Sequence, residues 1–267
     1  MRSLQRENLV TTAGWSDLAG ELDQWVKDRR VATLWWRDDD AVTPSRRLDH
    51  LISIAGNIPI SLAVIPAEAD RKLAEWAHLS RSVRTRLSVL QHGWCHRSHG
   101  VDGKKNEFPP ARSCHAVRSD LTAGRARLTA FFGNRALPVL VPPWNRFASC
   151  FLPLLSACGL SGISRVKPRR TPWPAPGITE VNVHIDLVAW GGDRGFIGEA
   201  AAVGGIVRHL KARRLGDVDG DEPTGILTHH LVQDEATDAF LRRLAAITKE
   251  HPATNWLDAA EVFADVL

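Results

Sequence analysis

Segments of strand length and segments of helix length alternate along most of the chain, and this alternation constrains the fold more than any other feature. Apolar runs predict strands at 32–37, 59–65, 85–91, 137–141, 161–164, 180–186 and 224–229. Amphipathic spacing predicts helices at 17–29, 45–55, 68–82, 114–132, 149–158, 197–213, 235–250 and 257–266. Repeated strand–helix units with apolar strands predict an α/β protein in which helices cover a parallel sheet.

The position of the polar residues favours a closed barrel over an open sheet. Polar clusters directly follow five of the predicted strands, at Asp38–Asp40, His92–His99, Trp144–Arg146, Asp186 and His229–His230. In a parallel barrel the carboxyl ends of all strands meet at one mouth, whereas an open sheet brings together only those beside its switch point. The sequence therefore predicts a distorted (β/α) barrel with about seven parallel strands, and residues 1–267 are expected to form a single domain.

The composition fits a domain that folds without a disulfide or a structural metal. The 267 residues are 44% hydrophobic and 24% charged, and a core of this size stabilises itself. Any metal is therefore expected to serve chemistry. The net charge of +4 comes from basic residues spread along the chain, so no nucleic-acid partner is expected.

Targeting signals and redox motifs are absent from the sequence. Residues 1–10 lack the apolar core of a signal peptide, and no run of about 18 apolar residues occurs. The four cysteines, Cys95, Cys114, Cys150 and Cys158, show no Cys-x-x-Cys spacing. We therefore expect a cytoplasmic protein with reduced cysteines and no membrane partner.

Three consecutive aspartates follow the first predicted strand. Asp38, Asp39 and Asp40 repel one another, and in a solvated turn they would need no further explanation. At the end of a buried strand, however, packed carboxylates require a cation or a shared proton. A metal ligand beside a proton-accepting carboxylate satisfies both requirements.

A histidine cluster follows the third predicted strand. His92 and His96 are four residues apart and can present their imidazoles to one ion, with His99 as a spare candidate. One carboxylate and two imidazoles leave coordination positions open for water and substrate. Such a set is typical of catalytic metal sites, because structural zinc sites use four protein ligands.

The order and spacing of these clusters resemble the polysaccharide deacetylase superfamily, carbohydrate esterase family 4. Its first motif is Thr-Phe-Asp-Asp-Gly and its second is His-(Ser/Thr)-x-x-His, which His92-Gly-Trp-Cys-His96 matches in spacing. The first motif fits in two registers, as Asp39-Asp40-Ala41 or as Asp38-Asp39-Asp40. We favour the former, because alanine replaces glycine more readily than aspartate does and Pro44 then falls where the family often has a proline. The resemblance then implies that Asp39 is the general base. It also implies that Asp40, His92 and His96 bind a divalent metal, for which zinc is the first candidate.

The three remaining family motifs are matched more weakly. The third, Arg-x-Pro-aromatic, corresponds to Val141-Pro142-Pro143-Trp144, so a valine replaces the arginine that orients the base in the family. Arg146 and Arg37 are the candidates for that role. The fourth corresponds to Asp186-Leu187-Val188-Ala189-Trp190, and the fifth to Leu227-Thr228-His229-His230. The resemblance implies His229, or its neighbour His230, as general acid, steadied by Asp186.

The resemblance implies a metal-dependent hydrolase that removes an acetyl or similar acyl group from an amino sugar or a related amide or ester. The missing arginine and the absent leader favour a small acylated metabolite or a non-sugar amide over a cell-wall polymer. The alternative is a catalytically degenerate module that binds a metal or a sugar. Candidate substrate-binding residues are Trp94, Pro143, Trp144, Arg146 and Trp190.

Overall fold

A curled parallel sheet lies at the centre of the computed structural model, which describes residues 13–79, 86–101, 103–192 and 194–264. The strands in these ranges are β1 (Ala32–Ala41), β2 (Ile60–Val64), β3 (Leu87–His92), β4 (Ala136–Val141), β5 (Gly162–Ile163), β6 (Thr179–Glu180), β7 (Ile185–Asp186), β8 (Thr224–Thr228) and β9 (Thr254–Trp256). Their order is β6-β5-β4-β3-β2-β1-β8-β7, and β9 pairs with the start of β1. The sheet forms a half-barrel with helices around it, which confirms the predicted distorted (β/α) barrel.

The helices cover the outer face of this sheet. They are α1 (Trp15–Lys27), α2 (Arg46–Ala55), α3 (Arg71–Leu79), α4 (Cys114–Phe132), α5 (Leu154–Ala157), α6 (Glu199–Leu215), α7 (Glu235–Glu250) and α8 (Ala259–Val262). Side-chain oxygens of Ser45, Ser113 and Asp234 accept backbone N–H groups at the starts of α2, α4 and α7, as expected of N-caps. Parts of the predicted elements, at 80–82, 85 and 265–266, lie outside the described residues.

Two predicted elements differ from the structure. The predicted helix 149–158 is a 3₁₀ turn at Ser149–Phe151 followed by the four-residue α5, and Pro153 lies at the junction. Proline lacks the N–H that a continuous helix would need there. The predicted strand 180–186 is divided into β6 and β7. In addition, β9 was not predicted, because three residues are too few to show a period.

The divided strand closes the barrel. At one end, Val181 N and Val183 N donate to Ile163 O and Arg165 O, which extends the pairing with β5. At the other end, the N–H groups of residues 184 and 187 donate to carbonyls of β8. A single extended segment therefore joins both edges of the sheet. It forms two short strands because its hydrogen-bond partners change from the β5 side to β8 between residues 183 and 184.

Apolar side chains fill both faces of the sheet. The inner cluster includes Trp35, Leu90, Val139, Val141 and Leu227, all of them fully buried. The largest cluster packs the helices against the outer face of β1–β3 and β8. In the described ranges, no helix combines the length and the apolar character that a membrane span requires.

Candidate active site

A β-bulge at the end of β1 decides where the three aspartates point. Asp38 pairs with Leu62 and Ala41 pairs with Val64, so β1 has one residue more than β2 between these pairs. Within this bulge Asp40 has a φ of 72°, in the left-handed region. Bulges of this kind redirect a side chain at the rim of a barrel. Asp40 thereby leaves the face it would share with Asp38 and points towards the third strand.

Asp40 meets the two predicted histidines. Its Oδ1 lies 3.1 Å from His92 Nε2 and 3.4 Å from His96 Nε2. Ligand atoms that share one tetrahedral zinc ion at 2.0–2.1 Å are about 3.3 Å apart. Asp40 Oδ1 is itself buried between these two nitrogens. These three side chains therefore fit one divalent cation, with an oxygen and two nitrogens as donors.

The electrostatics of the group agree with this fit. Burial would raise the pKa of Asp40, but the hydrogen bond from His92 and the charges of His92, His229 and His96 hold it well below its usual range. Burial and the neighbouring His92 lower the pKa of His96. Burial also opposes protonation of His92, but the hydrogen bond to Asp40 raises the His92 pKa overall. The ring of His92 is oriented by Val141 O, 3.0 Å from Nδ1, so Nε2 faces Asp40.

Asp39 lies beside the cation group and is held by Arg37. The Arg37 Nε and Nη2 donate to Asp39 Oδ1 and Oδ2 at 2.8 and 2.9 Å, which is a bidentate pair. The remaining N–H groups of Arg37 reach Asn145 Oδ1, Ser164 Oγ and Arg165 O. All five donors of this fully buried guanidinium are therefore satisfied.

Arg37 on β1, and not residue 141 of the third motif, thus pairs with Asp39. The Val141 side chain belongs to the apolar cluster inside the barrel. Residues 37 and 39 are two apart on β1 and share a face, so the pair forms within one strand. The other candidate, Arg146, donates instead to Lys105 O. Of the two arginines considered from the sequence, Arg37 contacts the candidate base.

Asp38 points away from the cation group and supports the end of β8. It accepts hydrogen bonds from Thr228 Oγ1 at 2.7 Å and from His230 N at 3.0 Å. His230 Nδ1 lies 2.5 Å from its other oxygen. Burial lowers the pKa of His230, but the charge of Asp38 raises it overall. This geometry favours the register with Asp39 and Asp40, and leaves His229 rather than His230 at the cavity.

His229, Asp186 and Trp190, which follow or end β7 and β8, form another part of the cavity wall. The Trp190 ring lies edge-on to His229, with the ring centroids 4.7 Å apart. Trp190 Nε1 and Val188 N donate to the Asp186 carboxylate at 2.7 and 3.0 Å. Burial raises the pKa of Asp186. Among the described residues His229 Nδ1 is buried without a partner, so no hydrogen bond through this atom joins it to Asp186, and Trp190 contacts both residues.

Glu107 organises the loop between the two candidate histidine ligands, and the sequence analysis missed it. Its fully buried carboxylate accepts from Cys95 N at 2.8 Å and from Trp94 N at 3.3 Å. A Cβ at Gly93 would lie 2.0 Å from Glu107 Oε2, so only glycine fits there. The one sequence signal is the apolar Phe108, followed by two prolines, inside the polar loop 97–112.

A second His–His–Glu group is buried below the cavity. His184 Nε2 lies 3.3 Å from Glu222 Oε2, and the rings of His184 and His209 stack at 3.5 Å. Burial lowers the pKa of His184 to about 3 and that of His209 to about 2, and raises that of Glu222 to about 7. His184 Nδ1 accepts from Gly225 N, whereas a metal-bound histidine donates through its second nitrogen. We interpret this group as part of the packing beneath the barrel closure.

One cavity of about 570 Å³ connects the candidate residues. Its lining comprises Asp39, Asp40, His92, His96, Lys105, Trp144, Asn145, Val166, Lys167, His184, Asp186, Trp190, Arg194 and His229. Trp144 and Trp190 are therefore on its wall, whereas Trp94, Pro143 and Arg146 are outside its lining. Trp144 also packs on His96, with the ring centroids 4.4 Å apart. The volume suits a ligand of monosaccharide to disaccharide size.

Comparison with solved structures identifies the fold. The chain is 15% identical to a proposed polysaccharide deacetylase from Mycobacterium smegmatis, with a TM-score of 0.60 over 89% of this chain and 90% of that one. It is 15% identical to a family 4 carbohydrate esterase from Streptomyces lividans, solved in complex with acetate (TM-score 0.52, 82% and 88% covered). A family 4 acetyl xylan esterase from Clostridium thermocellum, solved with a cobalt ion, is also 15% identical (TM-score 0.53, 87% and 90% covered).

The chain therefore has the fold of the polysaccharide deacetylases and family 4 carbohydrate esterases, as the motifs predict. No protein-family model matches the chain, and no curated protein matches it. At this level of identity the structural likeness concerns the fold, so the chemistry has to be argued from the site itself.

Proposed function

We propose that this protein is a metal-dependent hydrolase that removes an acetyl or similar acyl group from an amino sugar or a related small amide or ester. The observation that supports this most directly is the convergence of Asp40, His92 and His96 within 3.1–3.4 Å, beside Asp39 and across the cavity from His229. The esterase of this fold solved with acetate and the esterase solved with cobalt are consistent with an acyl product and a divalent ion.

Asp40, His92 and His96 would hold the ion, with zinc as the first candidate. When bound there, a divalent ion polarises the acyl carbonyl and lowers the pKa of a nearby water. Asp39 accepts the proton of the attacking water, and Arg37 fixes the orientation of its carboxylate. His229 donates a proton to the leaving amine or alcohol from the far side of the cavity. Water adds to the acyl carbon as the C–N or C–O bond breaks, which yields a carboxylate and a free amine or alcohol.

The cavity volume of about 570 Å³ favours a small substrate over a polymer in this proposal. Trp144 and Trp190 can stack on a sugar ring and keep water from the reacting bond. A soluble N-acetyl sugar is thus the first substrate class to test.

Acetate release before and after chelation tests the proposed function. The purified protein is assayed on N-acetylglucosamine, its soluble oligomers and a generic acetyl ester, first as isolated and then after a strong chelator. We expect chelation to abolish release and Zn²⁺ or Co²⁺ to restore it, because the ion supplies most of the activation of carbonyl and water. Stoichiometric metal binding with no turnover of any acyl compound would instead identify a binding module.

Glu107→Gln is expected to weaken Zn²⁺ binding by about tenfold, because the loop between His92 and His96 keeps one neutral acceptor oxygen in place of two oxygens of a carboxylate. The N–H₂ group that takes the place of the second oxygen cannot accept from Trp94 N. Competition with a fluorescent chelator measures the affinity, and Glu75→Gln, an exposed change on α3, is the matched control. Equal Zn²⁺ affinity of the two variants would show that Glu107 has no role in positioning the ligands.

A further inference from the structure

Three exposed cations line the cavity that holds the candidate catalytic residues. They are Lys105 from the long loop after β3, Lys167 from the loop after β5, and Arg194 from the loop after β7. Within the described part of the chain, none of the three side chains forms an ion pair with Asp or Glu. Three cations that lack an acidic partner in the described ranges therefore line one cavity from three separate loops.

Each cation projects from a backbone that is fixed. Lys167 N donates to Val183 O, at the point where the barrel closes. Lys105 O accepts from Arg146 Nη1, so the loop that carries Lys105 is tied to the third motif. Arg194 precedes Gly195, whose carbonyl accepts from Ala189 N, beside the bridge between Val188 and Phe196. Rigid attachment lowers the entropic cost of gripping a ligand.

The carboxylates of the cavity do not account for these cations. Arg37 neutralises Asp39, and a divalent ion would more than offset Asp40. Asp186, the remaining acid of the lining, is half-buried and accepts from Trp190 Nε1, and desolvation raises its pKa. The lining contributed by the described residues therefore carries an excess of positive charge. This charge attracts an anion, and the attraction strengthens as water is excluded.

We propose that the substrate of this site is an anionic acylated sugar, with a phosphate or carboxylate group that Lys105, Lys167 and Arg194 bind. This inference rests on the proposed deacylation and adds the substrate class. Trp144 and Trp190 stack on the ring, the acyl group enters between Asp40 and His229, and the anion stays at the rim. A phosphate and a carboxylate share the chemistry that the three cations recognise, and the experiment separates them.

Binding measured by calorimetry on the Zn²⁺-loaded Asp39→Asn protein tests this inference without turnover. The ligands are N-acetylglucosamine, its 1-phosphate, its 6-phosphate and N-acetylmuramic acid, with inorganic phosphate as the simple anion. We expect one anionic sugar to bind at least tenfold more tightly than N-acetylglucosamine at low ionic strength. The difference should shrink in roughly 0.5 M salt, because exposed charges are screened there.

Lys105→Gln, Lys167→Gln and Arg194→Gln are expected to weaken binding of that anionic sugar by about fivefold each, without changing the affinity for N-acetylglucosamine. Lys211→Gln, an exposed change on α6 away from the cavity, is the matched control and should change neither affinity. Whichever anionic sugar binds best identifies phosphate or carboxylate as the recognised group.

Equal binding of all four sugars, or binding of none, would overturn the inference. Inorganic phosphate that binds as tightly as the sugar phosphates would also overturn it, since the cations would then form a general anion site. These results are distinct from failure of the proposed function: acetate release from neutral sugars with no anion preference preserves the deacylation and removes only the substrate class.

Discussion

Asp39→Asn is expected to lower kcat about a thousandfold while the protein still binds Zn²⁺ with unchanged stoichiometry. Asp39 is the carboxylate beside the cation group that is held by Arg37 instead of by the histidines, so its loss removes the proton acceptor but not a ligand. Acetate release in steady state, together with metal analysis of the same sample, measures both quantities.

The two neighbouring aspartates supply the controls for this result. Asp40→Asn should lose Zn²⁺ affinity together with activity, because Asp40 Oδ1 faces both histidine nitrogens. Asp38→Asn should retain Zn²⁺ and lower mainly the thermal stability, because Asp38 binds Thr228 and His230. A fully active Asp39→Asn protein would remove the assigned base. Tight Zn²⁺ binding by Asp40→Asn would favour the other register.

Arg37→Lys is expected to lower kcat about a hundredfold and to leave KM and Zn²⁺ affinity nearly unchanged. Lysine keeps the charge that compensates Asp39 but cannot form the bidentate pair or reach Asn145 and Ser164 at the same time. A carboxylate displaced by about 1 Å loses activity of this order. The split between kcat, KM and metal affinity separates misorientation of the base from a general loss of structure.

Two further variants test whether Arg37 orients Asp39. Arg37→Met leaves the Asp39 carboxylate buried without its partner, which should destabilise the fold by about 3–5 kcal/mol, measured by urea unfolding. Arg146→Lys changes the arginine that donates to Lys105 O and should leave the orientation of Asp39, and hence kcat, unchanged. A larger loss of kcat in Arg146→Lys than in Arg37→Lys would show that Arg146, and not Arg37, orients Asp39.

Much of the fold could be predicted from hydrophobic periodicity. The helix Cys114–Phe132 has the predicted bounds, and strands β1–β4 and β8 occur where apolar runs are bounded by charge or proline. The short elements were predicted less well, since β5, β6 and β7 have two residues each and are held by the closure of the barrel. The hydrogen bonds of these strands depend on partners far along the chain, and no local sequence pattern predicts those partners.

In the candidate site, too, local spacing predicted some features and contacts between distant residues decided the others. The spacing of His92 and His96 already indicated one ion, because two imidazoles four residues apart can reach a common point. The contribution of Glu107 could not be predicted, since a single acid in a polar loop is usually solvated, and only the folded loop brings it under the N–H groups of Trp94 and Cys95. The cations of the rim are likewise dispersed at 105, 167 and 194 in the sequence.

The sequence by itself determined which residue types reach the mouth of the barrel, because polar clusters follow apolar strands whose carboxyl ends converge. The tertiary structure decided how the aspartates divide their roles. Strict alternation along β1 would place Asp38 and Asp40 on one face and Asp39 on the other. The bulge against β2 and the positive φ of Asp40 break that alternation and turn Asp40 towards the histidines. A bulge forms between two strands, so the sequence of one strand could not reveal it.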